Sequence, residues 1–580
     1  MGNFVTMPKL GMTMAEGKII KWLVEEGATV EKGDYIFETE TDKTSLEVDS
    51  LYAGTLLKIY FGEGVTVPVN EPVAYIGEAG EEIPELPEPQ AAPAQQSESA
   101  AAPAPAPAAT PAPAAVKKQT APKAKRPEGN FDYDLIVIGA GPGGYVAAIR
   151  AAQLGAKVAV VEKDTVGGTC LNRGCIPTKA FYASANRYRA VLGAEELGVK
   201  ATGASFDWPA ILDRKKKIVK QLTGGVAGLF KKNGIALIEG AATIKKANEV
   251  KVGGKAYTCA YILIATGAKP ASVIKTDAKL TDTDAVLDIN ALPKSIVIIG
   301  GGVIGCEMAG ILNAFGVDTT IVELMPTILP MADKEVAALL ADKMQKNGVK
   351  ILTETTCNSI TQKGKTYTLE LSNGEKKECD MVLEAVGRSP EAQAFAGLGL
   401  KLTDKGYIDV DDMMRTSMDN VYAIGDINGK FQLAHAASEQ GIAAVEHMFL
   451  DKDEVEEQPI PSCIFTDLEI AYVGLTEEQA KQQDLPIKTF KFPYVANGKA
   501  LTLGESEGFV KVIADERFGE ILGVHIIGAD ASSMIEEAVM AMRLEATAEV
   551  AGSTIHAHPT LSETLMEAFL GASDRGAIHV

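Results

Sequence analysis

The residues best suited to chemistry are two cysteines, Cys170 and Cys175, in the segment GGTCLNRGCIPTK. They stand five positions apart, which allows a small disulfide ring, and a helix-like run follows them. At a helix entrance, free backbone N–H groups and the helix dipole stabilise a thiolate. Pro177 suits the first helical turn because its missing N–H would have no partner there. The segment predicts a redox-active thiol pair, against the alternative of two buried reduced cysteines.

A base that could serve these thiols lies near the carboxyl end, in the segment IHAHPTLSE that ends at Glu563. The chain has only six histidines, and two of them, His556 and His558, fall here. Histidine titrates nearest neutral pH and can take a thiol proton, and a nearby carboxylate can fix its tautomer. The segment therefore predicts an acid–base pair of a histidine and a glutamate.

A nucleotide-binding unit precedes the cysteine pair. The apolar strand 135–138 leads into GAGPGG, an Ala-rich helix and a second strand that ends at Glu162. Gly139, Gly141 and Gly144 fit the G-x-G-x-x-G pattern of a tight turn, close approach to a pyrophosphate, and helix–strand packing. Glu162 stands where an acid can hold a ribose 2′-OH, so the unit predicts a dinucleotide site.

The same pattern recurs in SIVIIGGGVIG and in the strand that follows it. Gly300, Gly302 and Gly305 take the glycine positions, and Glu323 ends the second strand at the same interval as in the first copy. An acid there repels a 2′-phosphate, and no arginine follows before Thr327. NAD rather than NADP is therefore predicted at this second site.

Residues 1–78 contain an internal repeat with an offset of 37. Short alternating strands separated by Gly-containing turns predict a small β-sandwich. Such a sandwich would place Lys43, between the two halves of the repeat, at the exposed tip of a hairpin. Residues 79–129 are Pro-rich and acidic, then dominated by Ala and Pro, then basic. This composition cannot bury a core, and Ala-Pro steps favour an extended tether with a reach approaching ~150 Å.

Bulk composition limits the classes of partner. A net charge of −21 argues against nucleic acid and anionic membranes, and it leaves room for a basic protein partner. No run approaches the ~20 apolar residues of a membrane span, and no secretory signal is expected at the amino terminus. Seven cysteines with one recognisable pair indicate a reducing compartment with one catalytic disulfide. No metal site is predicted.

The cysteine segment resembles the redox-active disulfide of the pyridine nucleotide–disulfide oxidoreductases, and it looks most like that of the dihydrolipoyl dehydrogenases. The resemblance implies FAD at the first dinucleotide site, because the disulfide must contact a flavin, and NAD at the second. The segment VYAIGD resembles the family's second flavin motif, in which Asp426 binds the ribityl chain. An ion pair of Lys179 and Glu307 beside the flavin ring is also implied. Further cofactor contacts are expected from Thr169, Thr266, Gly267, Gly387 and Ala434.

The string HAHPTLSE closely resembles the family's base motif. It implies that His558 is the base and Glu563 its orienting partner, whereas His556 is structural. The carboxyl-terminal domain of that family forms a twofold dimer in which the base serves the other subunit's disulfide. A homodimer is therefore expected.

The segments MPKLGMTMAEGKI and ETDKTSLEV resemble the lipoyl domains of 2-oxo acid dehydrogenase complexes. The resemblance implies a covalent lipoyl group on Lys43. The competing carrier, a biotinyl domain, usually has its lysine between methionines, whereas Asp42 and Thr44 flank Lys43 here.

These resemblances imply a multidomain fold: an N-terminal β-sandwich lipoyl domain, then an α/β flavoprotein with two dinucleotide-binding domains and an α+β C-terminal dimerisation domain. The expected divisions are 1–78 (lipoyl), 79–129 (linker), 130–275 (FAD-binding), 276–390 (NAD-binding), 391–458 (central, completing the FAD site) and 459–580 (dimerisation).

The implied function is a dihydrolipoyl dehydrogenase that oxidises protein-bound dihydrolipoyl groups and reduces NAD⁺. A substrate thiolate attacks Cys170, and Cys175 lies nearer the flavin. Expected partners are lipoyl domains and the acyltransferase core of a 2-oxo acid dehydrogenase complex, in a bacterial cytoplasm or, for a mature eukaryotic form, the mitochondrial matrix.

Alternatives stay open at this point. Glutathione and mercuric reductases belong to the same class of flavoenzyme, but they commonly use NADPH, which Glu323 disfavours. A chain that acted mainly as a carrier or assembly component would need neither the cysteine pair nor His558. The complex served can be that of pyruvate, 2-oxoglutarate, branched-chain 2-oxo acids, acetoin or glycine cleavage.

Overall fold

The chain divides into two compact units, residues 1–115 and 116–580. The computed structural model describes residues 2–8, 16–40, 45–50, 52–69, 71–78, 81, 129–450, 452, 454 and 458–580. Lys43 and most of the predicted linker lie outside the described residues. In the described part, no helix is both long and apolar enough to cross a membrane.

The first unit is a sandwich of two four-stranded antiparallel sheets. Its strands are β1 (Asn3–Thr6), β2 (Glu16–Trp22), β3 (Thr29–Val30), β4 (Tyr35–Glu40), β5 (Ser45–Asp49), β6 (Gly54–Ile59), β7 (Thr66–Pro68) and β8 (Pro72–Gly77). The sheet orders are β1-β8-β6-β3 and β5-β4-β2-β7, so β2, β3 and β4 take the places that β6, β7 and β8 take in the opposite sheet. Alternate side chains such as Ile19, Phe37 and Leu56 fill the space between the sheets. The predicted repeat is thus a pseudo-twofold sandwich.

The second unit begins with a parallel sheet that carries the first glycine-rich turn. Its elements are β9 (Tyr133–Ile138), α1 (Pro142–Gln153), β10 (Val158–Glu162), α2 (Gly168–Arg173), α3 (Cys175–Leu192), α4 (Trp208–Lys232), β11 (Ala236–Glu239), β12 (Ala242–Lys246), β13 (Glu249–Val252), β14 (Lys255–Ile264) and β15 (Ala268–Pro270). The parallel strands run in the order β11-β10-β9-β14, and β12 and β13 extend the sheet as an antiparallel hairpin. Apolar residues on both faces explain the continuous hydrophobic runs of β9 and β10.

A second parallel sheet, in the order β16-β23-β17-β18-β19, repeats the arrangement. Its elements are β16 (Thr281–Asp282), β17 (Ser295–Ile299), α5 (Val303–Ala314), β18 (Asp318–Val322), α6 (Lys334–Lys346), β19 (Lys350–Leu352), β20 (Cys357–Lys363), β21 (Thr366–Leu371), β22 (Lys376–Cys379), β23 (Met381–Glu384) and β24 (Arg388–Pro390). β20, β21 and β22 form a separate antiparallel sheet. β15 and β24 pair with each other where the chain leaves and re-enters the first sheet.

The chain then returns to the first sheet through β25 (Val421–Ala423) and α7 (Ala434–Leu450). β25 pairs in parallel with β14, with Ala423 opposite Ile264. Residues far along the sequence therefore end at the same sheet edge as the first glycine-rich turn.

The last part is an antiparallel sheet in the order β26-β27-β30-β29-β28, covered by helices. Its elements are β26 (Ser462–Ile464), β27 (Ile470–Gly474), α8 (Glu477–Gln482), β28 (Ile487–Pro493), α9 (Gly498–Leu503), β29 (Phe509–Asp515), β30 (Ile521–Ile527), α10 (Ala531–Arg543), α11 (Ala548–Ser553) and α12 (Ser562–Ala572). Val512, Ile535 and Phe569 belong to the core between the sheet and these helices. His525 is wholly buried in this sheet, with Nε2 2.9 Å from the carbonyl oxygen of Leu475.

Candidate active site

Cys170 and Cys175 lie on two helices that meet at Gly174. Cys170 is inside the short helix α2, and Cys175 is the first residue of α3, so the two thiols come into hydrogen-bonding contact across the break. The hydrogen bond from the Cys170 thiol, helped by the charge of Lys179, lowers the pKa of Cys175 to about 7. The same bond, together with burial, raises the pKa of Cys170. The two cysteines therefore differ in acidity, and Cys175 is the one that forms the thiolate.

The other cysteines lack this environment. Burial raises the pKa of Cys259 to about 12 and that of both Cys379 and Cys463 to about 11, and it also raises the pKa values of Cys306 and Cys357. All seven cysteines of the chain are described, and Cys175 alone has a lowered pKa. Cys175 is therefore the cysteine best suited to react as a thiolate near neutral pH.

The predicted ion pair lies one helical turn along α3. Nζ of Lys179 is 2.9 Å from Oε1 and 3.0 Å from Oε2 of Glu307 on α5. Oε1 of Glu307 also accepts a hydrogen bond of 2.9 Å from the backbone N–H of Phe465, whose ring centroid lies 4.5 Å from the Lys179 ammonium. Only 5% of the Glu307 side chain is exposed, and a buried carboxylate of this kind needs these partners.

The first glycine-rich turn has the geometry of a dinucleotide cradle. Gly139 has φ +101°, and a Cβ on Gly144 would lie 2.0 Å from the carbonyl oxygen of Gly139. Helix α1 starts after Gly141 without a side-chain cap, which leaves its first N–H groups for a phosphate. Oε2 of Glu162, at the end of β10, accepts a hydrogen bond of 2.8 Å from Ala140 N.

The second turn repeats this geometry closely. Gly300 has φ +108°, a Cβ on Gly305 would again lie 2.0 Å from the preceding carbonyl, and nothing lies within 4 Å of a Cβ on Gly302. Buried Glu323 accepts hydrogen bonds from the backbone N–H groups of Gly301 (2.6 Å) and Met325 (2.7 Å). The carboxylate is therefore held at the strand end, where it would meet a ribose.

The remaining predicted contacts gather at the edge of the first sheet. Thr266 and Gly267 follow β14, Asp426 follows β25, and Ala434 begins α7, whereas Gly387 lies between β23 and β24. Burial raises the pKa of Asp426, against the opposing effect of Arg388. A half-buried carboxyl group here would be satisfied by the hydroxyl donors of a ribityl chain, so these residues fit FAD.

Arg388 is a central residue of this edge to which the sequence interpretation assigned no role. Its Nη2 donates to the carbonyl oxygen of Ala268 (2.7 Å) and lies 3.4 Å from Oγ1 of Thr169, and its Nη1 lies 3.1 Å from Asp284. Its Nε is buried with no hydrogen-bond partner among the described residues. An unpaired buried donor is suited to an anionic phosphate. The only sequence signal was an arginine directly after Gly387.

The acid–base pair is present as a hydrogen-bonded unit. Nδ1 of His558 lies 2.9 Å from Oε1 of Glu563, in the first turn of α12. Burial acts to raise the pKa of Glu563, but the N–H of Thr560, 2.8 Å from Oε2, and the imidazole outweigh it and lower that pKa. His556 is bound elsewhere, with Nε2 2.7 Å from Glu537 on α10.

The contacts of His558 in the described part of the chain do not include the cysteine pair. The His558 side chain is 78% exposed, and among the described residues no hydrogen bond or ion pair joins it to the cysteine segment. Next to it lies an apolar groove of about 500 Å³. The groove is lined in part by Met540, Leu544 and Ile555, which are 65%, 72% and 97% exposed. Such a face beside the base is suited to a protein contact.

The fold and this site define a flavoprotein disulfide oxidoreductase with two dinucleotide sites. Residues 133–441 match the profile of the pyridine nucleotide-disulphide oxidoreductases, and residues 460–569 match the dimerisation domain of that family. The chain belongs to this family. Residues 3–76 match the biotin/lipoyl profile, described as that of biotin-requiring enzymes.

Relatives and solved structures agree with this assignment. The chain is 41% identical to the dihydrolipoyl dehydrogenase of Chlamydia pneumoniae over 76% of this chain and 97% of the relative. It is 42% identical to that of Geobacillus stearothermophilus over 76% of this chain and 96% of the relative. The HOCl-induced flavoprotein disulfide reductase RclA from Escherichia coli has a TM-score of 0.68 at 26% identity, covering 75% of this chain and 99% of that chain. The predicted family and fold class are confirmed.

Proposed function

We propose that the chain catalyses the dihydrolipoyl dehydrogenase reaction: it oxidises protein-bound dihydrolipoyl groups to lipoyl groups and reduces NAD⁺. The observation that carries this proposal is the difference in pKa between the two cysteines. The pKa of Cys175 is lowered beside the Lys179–Glu307 ion pair, and the pair follows the glycine-rich turn of a dinucleotide site. The relatives are named dihydrolipoyl dehydrogenases, and the match covers nearly their whole length, which supports the same activity.

In the first steps, the residues of this chain accept the two thiol protons of the substrate and take part in two successive thiol–disulfide exchanges. His558, with Nδ1 held by Glu563, takes a proton from a dihydrolipoyl thiol at Nε2. The new thiolate attacks the sulfur of Cys170 in the disulfide and releases Cys175 as a thiolate. The second substrate thiol, whose proton passes to the departing Cys170 sulfur, then attacks the substrate sulfur of the mixed disulfide, so that Cys170 leaves as a thiol and the substrate leaves as oxidised lipoyl. The enzyme has gained two electrons and the substrate has lost two.

FAD bound at the first site supplies the relay that carries this electron pair from the dithiol to NAD⁺. Lys179 stabilises the Cys175 thiolate next to that site, and Asp426, Arg388 and the uncapped α1 N-terminus would hold the cofactor. Glu323 favours NAD⁺ at the second site because a buried carboxylate repels a 2′-phosphate.

The base is proposed to act across a homodimer. The chain matches the family's dimerisation domain, and the His558 side chain is largely exposed beside the apolar groove. A twofold contact through α10 would bring each His558 to the disulfide of the other subunit, which makes the dimer necessary for turnover.

The amino-terminal unit is proposed to carry a lipoyl group on Lys43, and the linker 79–129 to carry it as an arm. The match of residues 3–76 and the antiparallel pairing of β4 with β5, on either side of Lys43, support this assignment. Intact mass distinguishes lipoyl from biotinyl modification. The same proposal includes domain boundaries at residues 275, 390 and 458. It also includes assembly with the acyltransferase core of a complex and a bacterial cytoplasmic location.

The direct test is NAD⁺ reduction by purified, full-length, FAD-loaded protein with free dihydrolipoamide. We expect NADH formation with dihydrolipoamide and NAD⁺, and much weaker activity when glutathione replaces the thiol or NADP⁺ replaces the nucleotide. Efficient turnover with glutathione and NADP⁺ would instead assign the chain to another reductase of the class.

A further inference from the structure

The redox helix α3 presents one polar stripe to the dimerisation domain. Lys179, Tyr182 and Arg189 follow Cys175 by four, seven and fourteen positions, which places them along one side of an α-helix. All three contact the same short segment, residues 465–469, between β26 and β27. The stripe that begins at the thiolate is therefore also the side of α3 that contacts residues 465–469.

The contacts of residues 465–469 with α3 are made by named polar groups and one aromatic ring. Phe465 lies against Lys179 and donates its backbone N–H to Glu307. The Tyr182 hydroxyl lies 3.1 Å from the carbonyl oxygen of Thr466 and 3.2 Å from Oε1 of Glu469. Arg189 forms an ion pair with Asp467. The phenol keeps its proton for donation because burial, followed by the charge of Glu469, raises the pKa of Tyr182.

Glu469 continues the connection to α10. Its Oε2 accepts hydrogen bonds from the hydroxyl (2.8 Å) and the backbone N–H (3.2 Å) of Ser532, in the first turn of that helix. Farther along the same helix, Glu537 binds His556, two residues before the base. α10 is thus attached to the redox helix at one end and to the base segment at the other.

We propose that Tyr182 and Glu469 are positioning residues: their contact, continued to Ser532, holds α3 in register with α10 and thereby sets the place of Lys179 beside Cys175. The inference rests on the proposed function of Cys175 as the thiolate of the pair. Neither residue touches the reacting sulfur atoms.

The contact between Tyr182 and Glu469 affects the reactivity of Cys175 through the charges that surround this thiol. The groups that face it are the Cys170 thiol on α2, Lys179 on α3, Glu307 on α5 and Tyr145 on α1. Lys179 favours the thiolate and Glu307 opposes it. Because residues 465–469 contact both members of this ion pair, loosening the segment shifts the ammonium relative to the sulfur.

The test is the pH titration of the Cys175 thiolate, followed by its ultraviolet absorbance in reduced, FAD-loaded, full-length protein. A Cys170→Ser background leaves one low-pKa thiol and keeps a hydroxyl donor beside it. We expect Tyr182→Phe to raise the midpoint and to lower the thiolate-to-thiol ratio at neutral pH about threefold, the scale of one lost hydrogen bond. Tyr188→Phe on the same helix is the matched control, because no described residue forms a hydrogen bond with the Tyr188 hydroxyl.

Ser532→Ala provides an independent variant if Tyr182→Phe does not fold. It removes the shorter bond to Glu469 and leaves the backbone bond, so a smaller shift in the same direction is expected. Sedimentation must show that each variant remains dimeric. A midpoint unchanged from the Tyr188→Phe control in every variant that folds would overturn the proposal. The titration needs no dihydrolipoyl substrate, so this outcome is distinct from a failure of dihydrolipoamide turnover.

Discussion

At the scale of single residues, two cysteines of the same type acquire different properties from their immediate neighbours. Cys175 receives a hydrogen bond and faces an ammonium group, whereas Cys170 donates that bond from a half-buried position. The difference suits a disulfide with one sulfur for substrate exchange and one for the cofactor. Division of labour within the pair therefore depends on Lys179 as well as on the cysteines.

Opposite changes in the ion pair are expected to move the Cys175 thiolate in opposite directions. Lys179→Met removes the favourable charge and should move the Cys175 pKa upward from about 7 toward the ordinary thiol value. Glu307→Gln removes the opposing charge and should lower the pKa further. The rate of thiol alkylation against pH in reduced Cys170→Ser protein measures both. Shifts in the same direction would contradict the assigned electrostatics.

Loss of the base should affect only the dithiol half of the reaction. His558→Gln is expected to reduce dihydrolipoamide oxidation by roughly 10²–10⁴-fold, the usual contribution of general acid–base catalysis. NADH-dependent reduction of an artificial acceptor should be nearly unchanged, because that route does not need the thiol proton. The matched control is His556→Gln, which changes the neighbouring histidine that binds Glu537. Equal losses of both activities would indicate structural damage instead.

At the scale of elements, the two β-α-β units share the same backbone features at their glycine-rich turns, but they are proposed to hold different nucleotides. Each has a left-handed first glycine, an uncapped helix and a third glycine whose hydrogen faces the first carbonyl. What differs is the surroundings: β25 pairs within the sheet of the first unit, and the chain continues from that unit into the cysteine helices, of which α3 also contacts α5 of the second unit through Lys179 and Glu307. In the proposed assignment, the nucleotide that each unit holds is decided by the segments packed around the shared motif.

Alanine at the third glycine should separate the two cofactors. A Cβ at Gly144 or Gly305 would lie 2.0 Å from a backbone carbonyl, which neither unit can accommodate without moving its turn. Gly144→Ala is expected to yield protein that lacks the yellow flavin spectrum. Gly305→Ala should keep FAD and reduction by dihydrolipoamide but lose most of its flavin reduction by NADH. The reverse pattern in absorbance titrations would exchange the proposed FAD and NAD sites.

At the scale of the whole molecule, a carrier-type unit and a catalytic unit are joined in one chain by residues of linker composition. The net charge of −21 favours partners of opposite charge, and the exposed apolar groove lined in part by Met540, Leu544 and Ile555 favours a second copy of the chain. The fusion raises the local concentration of any carried group at the active sites, provided that the linker spans the distance.

An anaerobic NADH titration can test whether the arm reaches an active site. Lipoylated protein is expected to consume about one more two-electron equivalent per chain than a Lys43→Ala variant, because the lipoyl disulfide would exchange with the reduced cysteine pair. Flavin absorbance gives the count, and intact mass confirms the modification. Equal counts would mean that the arm serves a partner instead.

Much of this protein could be predicted from local sequence. The fingerprint glycines and the cysteine spacing are short-range patterns that reflect backbone constraints within a few residues. The acids Glu162 and Glu323 and the sandwich repeat are patterns within a single β-α-β unit or a single small domain. The family was implied by the resemblance of these motifs to those of known proteins, and the fold class was implied by the family. The pairing of His558 with Glu563 was implied by the resemblance of their segment to a family motif, and the structure places their side chains in hydrogen-bonding contact.

The tertiary structure decided what is distant in sequence. Arg388 meets Thr169 and Ala268 only because β15 pairs with β24, and Asp426 reaches the first sheet only through β25. The connection from Tyr182 through Glu469 to Ser532 likewise joins three segments that no periodicity relates. Sequence patterns report how a residue meets its near neighbours, whereas burial and charge balance depend on which distant segments pack together. For that reason the sequence suggests candidate reactive residues, whereas the contacts around them are visible only in the tertiary structure.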